Sequence, residues 1–470
     1  MGRAGLLTFV LFGCLVGTLR AGDARSATLG APASLTPFAP ASAYLPPGAF
    51  DPAVKPAGAS GYLPPAPATG PVGPAAAQQV APASAAPNYP PAGAACDPVE
   101  RLRCAACGPD ERGWVSADYL LWAVKGSGTP PLVTRDLPGT ARPAVGMPLA
   151  PGQQLLFGGQ GLNGDLRSGF RIGGGYWLDA DRRWAISGDF FFLSSGNDGG
   201  TFASPGDPPL SRPFFNAATG RPDAELVAFP GSLSGSVSVG ARNTFVGAGA
   251  FLQRNLCCDY DTSNPCGVRG YRVDLLAGYR YFGLNDDLRV REDLLSTGQP
   301  GTPAGTRIIV TDRFRTENDF HGGLLGLAGG FQSGRWSADV RGGASFGNMH
   351  RELIVAGGTT VIAPGQVPSD RPGGLLAQRS NIGRYASDAF TVAPEVGLNL
   401  GYQLTTGVRV HVGYTFLYLP NVWRAGDQID RGIDPAQLRG GVSALGRPAA
   451  VLASTGAFVQ GVNVGLTFRY

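Results

Sequence analysis

Residues 461–470 alternate without a break: Val462, Val464, Leu466, Phe468 and Tyr470 are apolar, and every residue between them is small or polar. Side chains on a strand point to opposite faces with a period of two, so this segment predicts a closing strand with one greasy face, which must meet a core or lipid. The same alternation recurs upstream. It predicts ascending strands at about 113–125, 183–196, 270–295, 335–356 and 406–420, and descending strands at about 167–178, 233–255, 306–332, 385–403 and 452–470. The connections 179–182, 257–268, 333–334 and 404–405 are compact, whereas 126–166, 197–232, 296–305, 357–384 and 421–451 are mostly much longer. An even strand count with short turns at one end and long loops at the other is the layout of an outer-membrane barrel. The expected fold is therefore all-β: an up-and-down antiparallel transmembrane β-barrel of about ten strands, twelve being the alternative, with long external loops and both ends of the sheet on the periplasmic side.

Individual strands agree on which face meets lipid. Trp336, Ala338, Val340, Gly342, Ala344 and Phe346 point one way, and Arg335, Ser337, Asp339, Arg341, Gly343 and Ser345 the other. Phe390, Val392, Pro394, Val396, Leu398, Leu400 and Tyr402 form a second such stripe, opposite Thr391, Glu395, Asn399 and Gln403. Val408 to Tyr418 form a third, opposite Arg409, His411 and Thr415. Trp114, Tyr176, Trp184, Tyr279, Tyr281, Trp336, Tyr402, Tyr418 and Tyr470 fall near strand ends, where amphipathic rings suit the headgroup level. Four places break the pattern. Leu276 and Phe191 fall on the lumen side, 320–331 carries Leu on both faces, and Pro394 removes a ladder donor inside a strand, which marks an edge or a bulge.

Composition narrows the class. Of 470 residues, 72 are Gly and 40 Pro, only 15% are charged, and 43% are hydrophobic without forming long runs. Past the N-terminus no stretch reaches the roughly 18 apolar residues that a membrane helix needs, so membrane residence requires a closed sheet. The net charge of +4 is mild, and no basic run interleaves with aromatics, which argues against nucleic acid. Arg3, the apolar run from Ala4 to Leu19 and the small residues at 22–24 read as a signal peptide over 1–24, with a lipoprotein site at Cys14 as the weaker rival. Residues 25–95, rich in Pro and Ala with Tyr-Leu-Pro-Pro at 44–47 and 62–65, predict a disordered periplasmic linker. A short cysteine segment spans 96–112 before the barrel at 113–470. Cys96, Cys104 and Cys107 there, with Cys257, Cys258 and Cys266 in a later turn, make six cysteines in an exported chain, which favours structural disulfides over metal or redox chemistry.

The lumen face collects charges of both signs: Arg171, Asp189, Asp274, Arg280, Asp339, Arg341, Glu395, Arg409 and Arg469. In a narrow ten-stranded barrel they either fill the interior as a hydrogen-bonded network or line a small, weakly selective pore. Catalytic signals are thin. Gly343-Ala344-Ser345-Phe346-Gly347 matches a nucleophile elbow, but that motif needs a strand-to-helix turn and here lies within a strand. His321, His350 and His411 have no metal-ligand spacing. No catalytic, cofactor or metal residues are assigned, and the chain is expected not to be an enzyme.

Ordered stretches resemble a known family. Trp114–Trp122, Thr129–Thr134, Arg212–Asn216, Ala224–Gly231, Asn255–Cys258, Asp274–Tyr281, Ser380–Tyr385, Val412–Tyr418 and Gly426–Arg431 are similar to the putative beta-barrel porin-7 family across about 113–470. The resemblance implies a bacterial outer-membrane barrel and supplies no substrate or catalytic residue. The first expectation is a passive channel for ions or small solutes through a narrow charged lumen. The alternative is a non-conducting surface or anchoring barrel with a plugged lumen and binding loops, and a barrel-embedded hydrolase ranks last. The expected partners are outer-membrane lipid and, through the C-terminal strand, the barrel-assembly machinery.

Overall fold

The computed structural model describes residues 111–148, 152–261, 269–298 and 301–470. The predicted signal peptide, the linker, Cys96, Cys104, Cys107 and Cys266 lie outside these residues.

Ten antiparallel strands close into a ring: β1 Gly113–Val124, β2 Leu166–Trp177, β3 Trp184–Ser204, β4 Leu233–Asp261, β5 Arg269–Ser296, β6 Arg307–Ser333, β7 Trp336–Ile362, β8 Gly383–Gln403, β9 Val408–Val422 and β10 Thr455–Arg469. Each pairs with its neighbours in sequence, and β10 returns to β1 through eleven residue pairs, from Trp114–Arg469 to Val124–Val459. The predicted count of ten and the up-and-down order hold. Val462, Val464, Leu466, Phe468 and Tyr470 all lie exposed on the outer face, as the alternation requires of a lipid-facing stripe.

The strands are unequal. β1 and β2 have 12 residues, while β4 to β7 have 27 to 29. About ten residues suffice to cross a bilayer, so β3 to β8 continue beyond it as a tall half-cylinder. The greasy stripe marks the boundary. On β8 it runs from Phe390 to Tyr402, about 40 Å along the strand and about 30 Å once a tilt near 40° is allowed for. Above it the outer face turns polar, with Asp388 and Arg384 on β8 and Asn348, His350 and Glu352 on β7. Trp336 and Tyr402 meet at 5.0 Å on the opposite rim. Trp114 departs from the girdle expectation. It lies on the inward face of β1, 5.4 Å from Trp177 and beside the cavity at the periplasmic mouth.

The long loops are not splayed. Segments Val133–Arg135, Gln154–Phe157, Leu210–Asn216, Arg221–Ala228 and Gly432–Ile433 form a small second sheet. Leu132, Val133, Leu210, Phe214 and Ile433 from these loops share one buried cluster with the inward-facing Val237, Val239, Leu288, Val290, Phe314 and Leu353 of β4 to β7. The tall wall and the loops therefore complete each other's core.

Candidate functional site: a lumen closed at three levels

The lowest inward positions surround a cavity of about 210 Å³ at the periplasmic mouth, walled in part by Trp114, Trp177, Tyr260, Arg272, Asp274, Asp339, Arg409 and Arg469. Its charges are paired: Arg272 Nε lies 2.6 Å from Asp274, Arg409 Nη1 2.6 Å from Asp339, and Arg469 Nη1 3.4 Å from Glu111. The guanidinium of Arg272 also sits 4.1 Å from the Trp177 ring. Asp274, Asp339, Arg409 and Arg469 thus belong to this mouth rather than to a continuous pore wall.

Above it, Arg280 of β5 donates to Asp189 of β3 at 2.6 Å and to Glu395 of β8 at 2.7 Å. Arg341 of β7 approaches Asp189 to 3.7 Å and stacks 4.2 Å over Phe251. Arg171 of β2 donates to Asp118 of β1 at 2.7 Å, and the other Asp118 oxygen meets His411 Nε2 of β9 at 2.5 Å. Both bridges pass over a glycine. Gly249 lies between Arg280 and Asp189 in the strand register, and a Cβ there would stand 2.8 Å from Arg280 Nη1. Gly465 lies between Asp118 and His411, where a Cβ would meet the Asp118 carboxylate at 2.0 Å. A side chain on either middle strand would interrupt the bridge. Asp118 is a lumen charge missing from the sequence-based set. The signal for it was Gly465, whose missing side chain leaves room between Asp118 and His411 on the flanking strands.

The second level is apolar. Trp122, Phe191, Phe245, Phe282, Phe320, Met349 and Leu417, from seven strands, form one buried cluster across the lumen. Neighbouring rings lie 5.3 to 6.4 Å apart. Phe191, which broke the predicted alternation, is part of this layer. Leu276, the other exception, packs against Phe251 and Leu324.

The third level is the loop core. Arg212, on a loop strand, makes ion pairs to Glu292 of β5 and, at 2.9 Å, to Asp312 of β6, all of them buried. Asp312 also accepts the backbone N–H groups of Leu376 and Ala377 from the loop after β7. Glu225 lies half-buried beside this group, its Oε2 shielded from solvent. Burial, followed by the neighbouring Glu292 charge, lifts its carboxyl well above the ordinary range. The loop after β9 is tied down by Arg424, which donates to Asp286 at 2.6 Å, and by Asn318, which bonds both the N–H and C=O of Trp423.

Cys257 and Cys258 sit on the lower part of β4, just past a register shift after Asn255. No group of three or more potential metal ligands occurs among the described residues.

The family described as Putative beta barrel porin-7 matches residues 114–470. No curated protein matches the chain. Among solved structures, the outer membrane protease OmpT from Escherichia coli is similar at 9% identity and a TM-score of 0.33, over 77% of this chain and 97% of that one. The P. putida toluene transporter TodX is similar at 10% identity and a TM-score of 0.18, over 77% and 90%. Scores this low do not bear on function.

Proposed function

The chain belongs to the Putative beta barrel porin-7 family, and from that premise we propose that it is an outer-membrane barrel sealed across its axis, anchoring a folded extracellular platform rather than forming an open pore. The observation that carries this reading is the succession of paired charges, packed aromatic rings and a loop core along a single lumen. Opposed charges within hydrogen-bond distance fill a narrow barrel instead of lining it, and a dry apolar layer above them offers no path to a hydrated ion. No catalytic role forms part of this proposal. The chain's partners in it are the surrounding lipid and, during insertion, the barrel-assembly machinery that reads β10, with the Pro/Ala-rich segment as a periplasmic tether.

Planar-bilayer recording of the refolded full-length protein tests it. Silence is the expected result. Unitary steps would restore the passive-channel reading, and Arg341→Glu or Arg409→Glu should then shift the reversal potential toward cations. We also propose that the six mature cysteines form structural disulfides below the barrel. Unreduced, unfolded protein should react with few or no thiol reagent equivalents, and six free thiols would refute this.

A further inference from the structure

The loop sheet carries a cleft of its own. On the loop strand Leu210–Asn216 successive side chains face opposite ways, so Phe214 enters the buried core while Phe215 turns outward and stays 43% exposed. The two-residue strand Gly432–Ile433 runs parallel beside it. Phe215 N–H donates to the Arg431 carbonyl at 2.7 Å and Ala217 N–H to the Ile433 carbonyl at 2.9 Å, which sets Phe215 opposite Gly432 in the register.

Gly432 lies outside the left-handed region, so its backbone does not call for glycine. Its missing side chain matters for space instead. A Cβ there would stand 3.1 Å from Asp430 Oδ1 and 3.7 Å from Arg447 Cδ. What remains is an open cavity of about 510 Å³, with an apolar wall of Phe215, Ala217 and Leu445 and a polar wall of Asp430, Arg431 and Arg447. Small-molecule sites span roughly 300–1,000 Å³, so the cleft is of a size to hold one.

The polar wall is unevenly partnered. Both oxygens of Asp430 are engaged: Oδ1 accepts the Gly432 N–H at 2.8 Å, and Oδ2 accepts the Ala449 N–H at 2.8 Å and Arg447 Nη1 at 2.7 Å. That pair holds Arg447 at the rim, with its side chain 52% exposed. Arg431 has no such partner. Among the described residues no carboxylate lies within ion-pair distance of it, and its Nε is shut off from water without an acceptor. An arginine that merely solvates a surface keeps its donors wet, whereas a shielded donor with nothing to bond is destabilising. Two guanidiniums and one carboxylate thus leave one positive charge beside an apolar wall.

We propose that this cleft binds a small monocarboxylate with an apolar body, an aryl or arylalkyl acid, its carboxylate on Arg431 and the remaining N–H groups of Arg447 and its body against Phe215. A guanidinium takes a carboxylate through two parallel bonds, and an exposed ring gains by stacking or edge contact with a second ring. A single net charge matches a monoanion better than a phosphate dianion. From the sealed-barrel reading the proposal takes only the side of the membrane that the cleft faces.

Calorimetric titration of the full-length protein in non-ionic detergent with 3-phenylpropanoate, against a detergent blank, tests it. Saturable binding is expected, with 3-phenylpropanamide weaker by about tenfold because it lacks the charge. Arg431→Gln should weaken the acid by about tenfold and leave the amide unchanged. Phe215→Ser, which removes an exposed ring, should weaken acid and amide alike. Absence of binding, equal affinity for acid and amide, wild-type affinity in Arg431→Gln, or competition by inorganic phosphate as strong as by the acid would each overturn it. The comparison of acid with amide uses only the unaltered protein, so it decides the matter even where a variant fails to fold. Binding in detergent does not depend on conduction, so open steps in a planar bilayer would remove the sealed-lumen reading and leave the cleft standing.

Discussion

Arg280 and Arg212 are both buried guanidiniums held between carboxylates, but their surroundings differ in charge balance. Around Arg280 the charges are even, with Arg341 beside it and Asp189 and Glu395 facing it, and all four sit on barrel strands. Around Arg212 one buried cation faces Glu292, Asp312 and Glu225, with the charge of Arg371 reaching only Glu225, and Arg212 itself rides on a loop. The lower cluster joins wall to wall across the lumen. The upper one fastens a loop to the wall, and its surplus of negative charge favours the protonated form of its carboxyls. Burial raises the Glu225 carboxyl well above its ordinary value and also raises Glu292, despite the pull of Arg212.

Removing Arg212 should have the largest effect. Arg212→Ala leaves the buried Glu292 and Asp312 without a counter-ion, a loss of about 3–5 kcal/mol. The loop spanning 205–232 should become protease-sensitive while the barrel keeps its heat-modifiable migration on gels. Equal protection of mutant and parent would erase the distinction between a loop-fastening and a wall-to-wall cluster. Arg280→Met should cost about 3 kcal/mol, the lower end of that range, because Arg341 remains 3.7 Å from Asp189. The midpoint of chemical unfolding in micelles should fall while loop protection stays unchanged.

The charge surplus also predicts a pH dependence. For an acid whose pKa is higher folded than unfolded, the folded state binds the extra proton, so its stabilising contribution is present at low pH. That contribution is lost as pH rises from the unfolded value, near 4.5, toward the raised folded value. The slope is at most about 1.4 kcal/mol per pH unit for each titrating group. Loop protection should therefore weaken from about pH 5 upward, and Glu225→Gln, itself costing under about 1 kcal/mol, should flatten the trend. The outer face supplies the smallest effect. Arg313 donates to Asp287 at 2.9 Å on exposed wall, and Arg313→Ala should change stability by less than about 1 kcal/mol. A larger loss would mean that exterior pairs rank with the interior ones.

What was legible in the sequence follows from what each face touches. Lipid accepts only apolar side chains, so the outward positions of β7, β8 and β10 repeat every second residue and disclose strand, register and count. The interior imposes no such rule. Arg171, Asp189, Arg280 and Glu395 could be placed inside by parity, but β1 carries Leu120, Leu121 and Trp122 on both faces, so Asp118 did not stand out. Phe191 and Leu276 looked like lapses in a pattern because a lumen was expected to be wet. The loop sheet was unreadable for a related reason. Leu210–Asn216 and Arg221–Ala228 bury residues of both kinds against loops and wall, so no two-residue rhythm marks them.

The junction of β1 with β10 bears on how the molecule comes into being. β1 must wait for β10, because eleven residue pairs between them are all that stop each from presenting bare amides to hydrocarbon. A product halted before residue 455 has nowhere in a bilayer to rest. Closure of the wall is thus a single event that no partial set of the ten strands can anticipate.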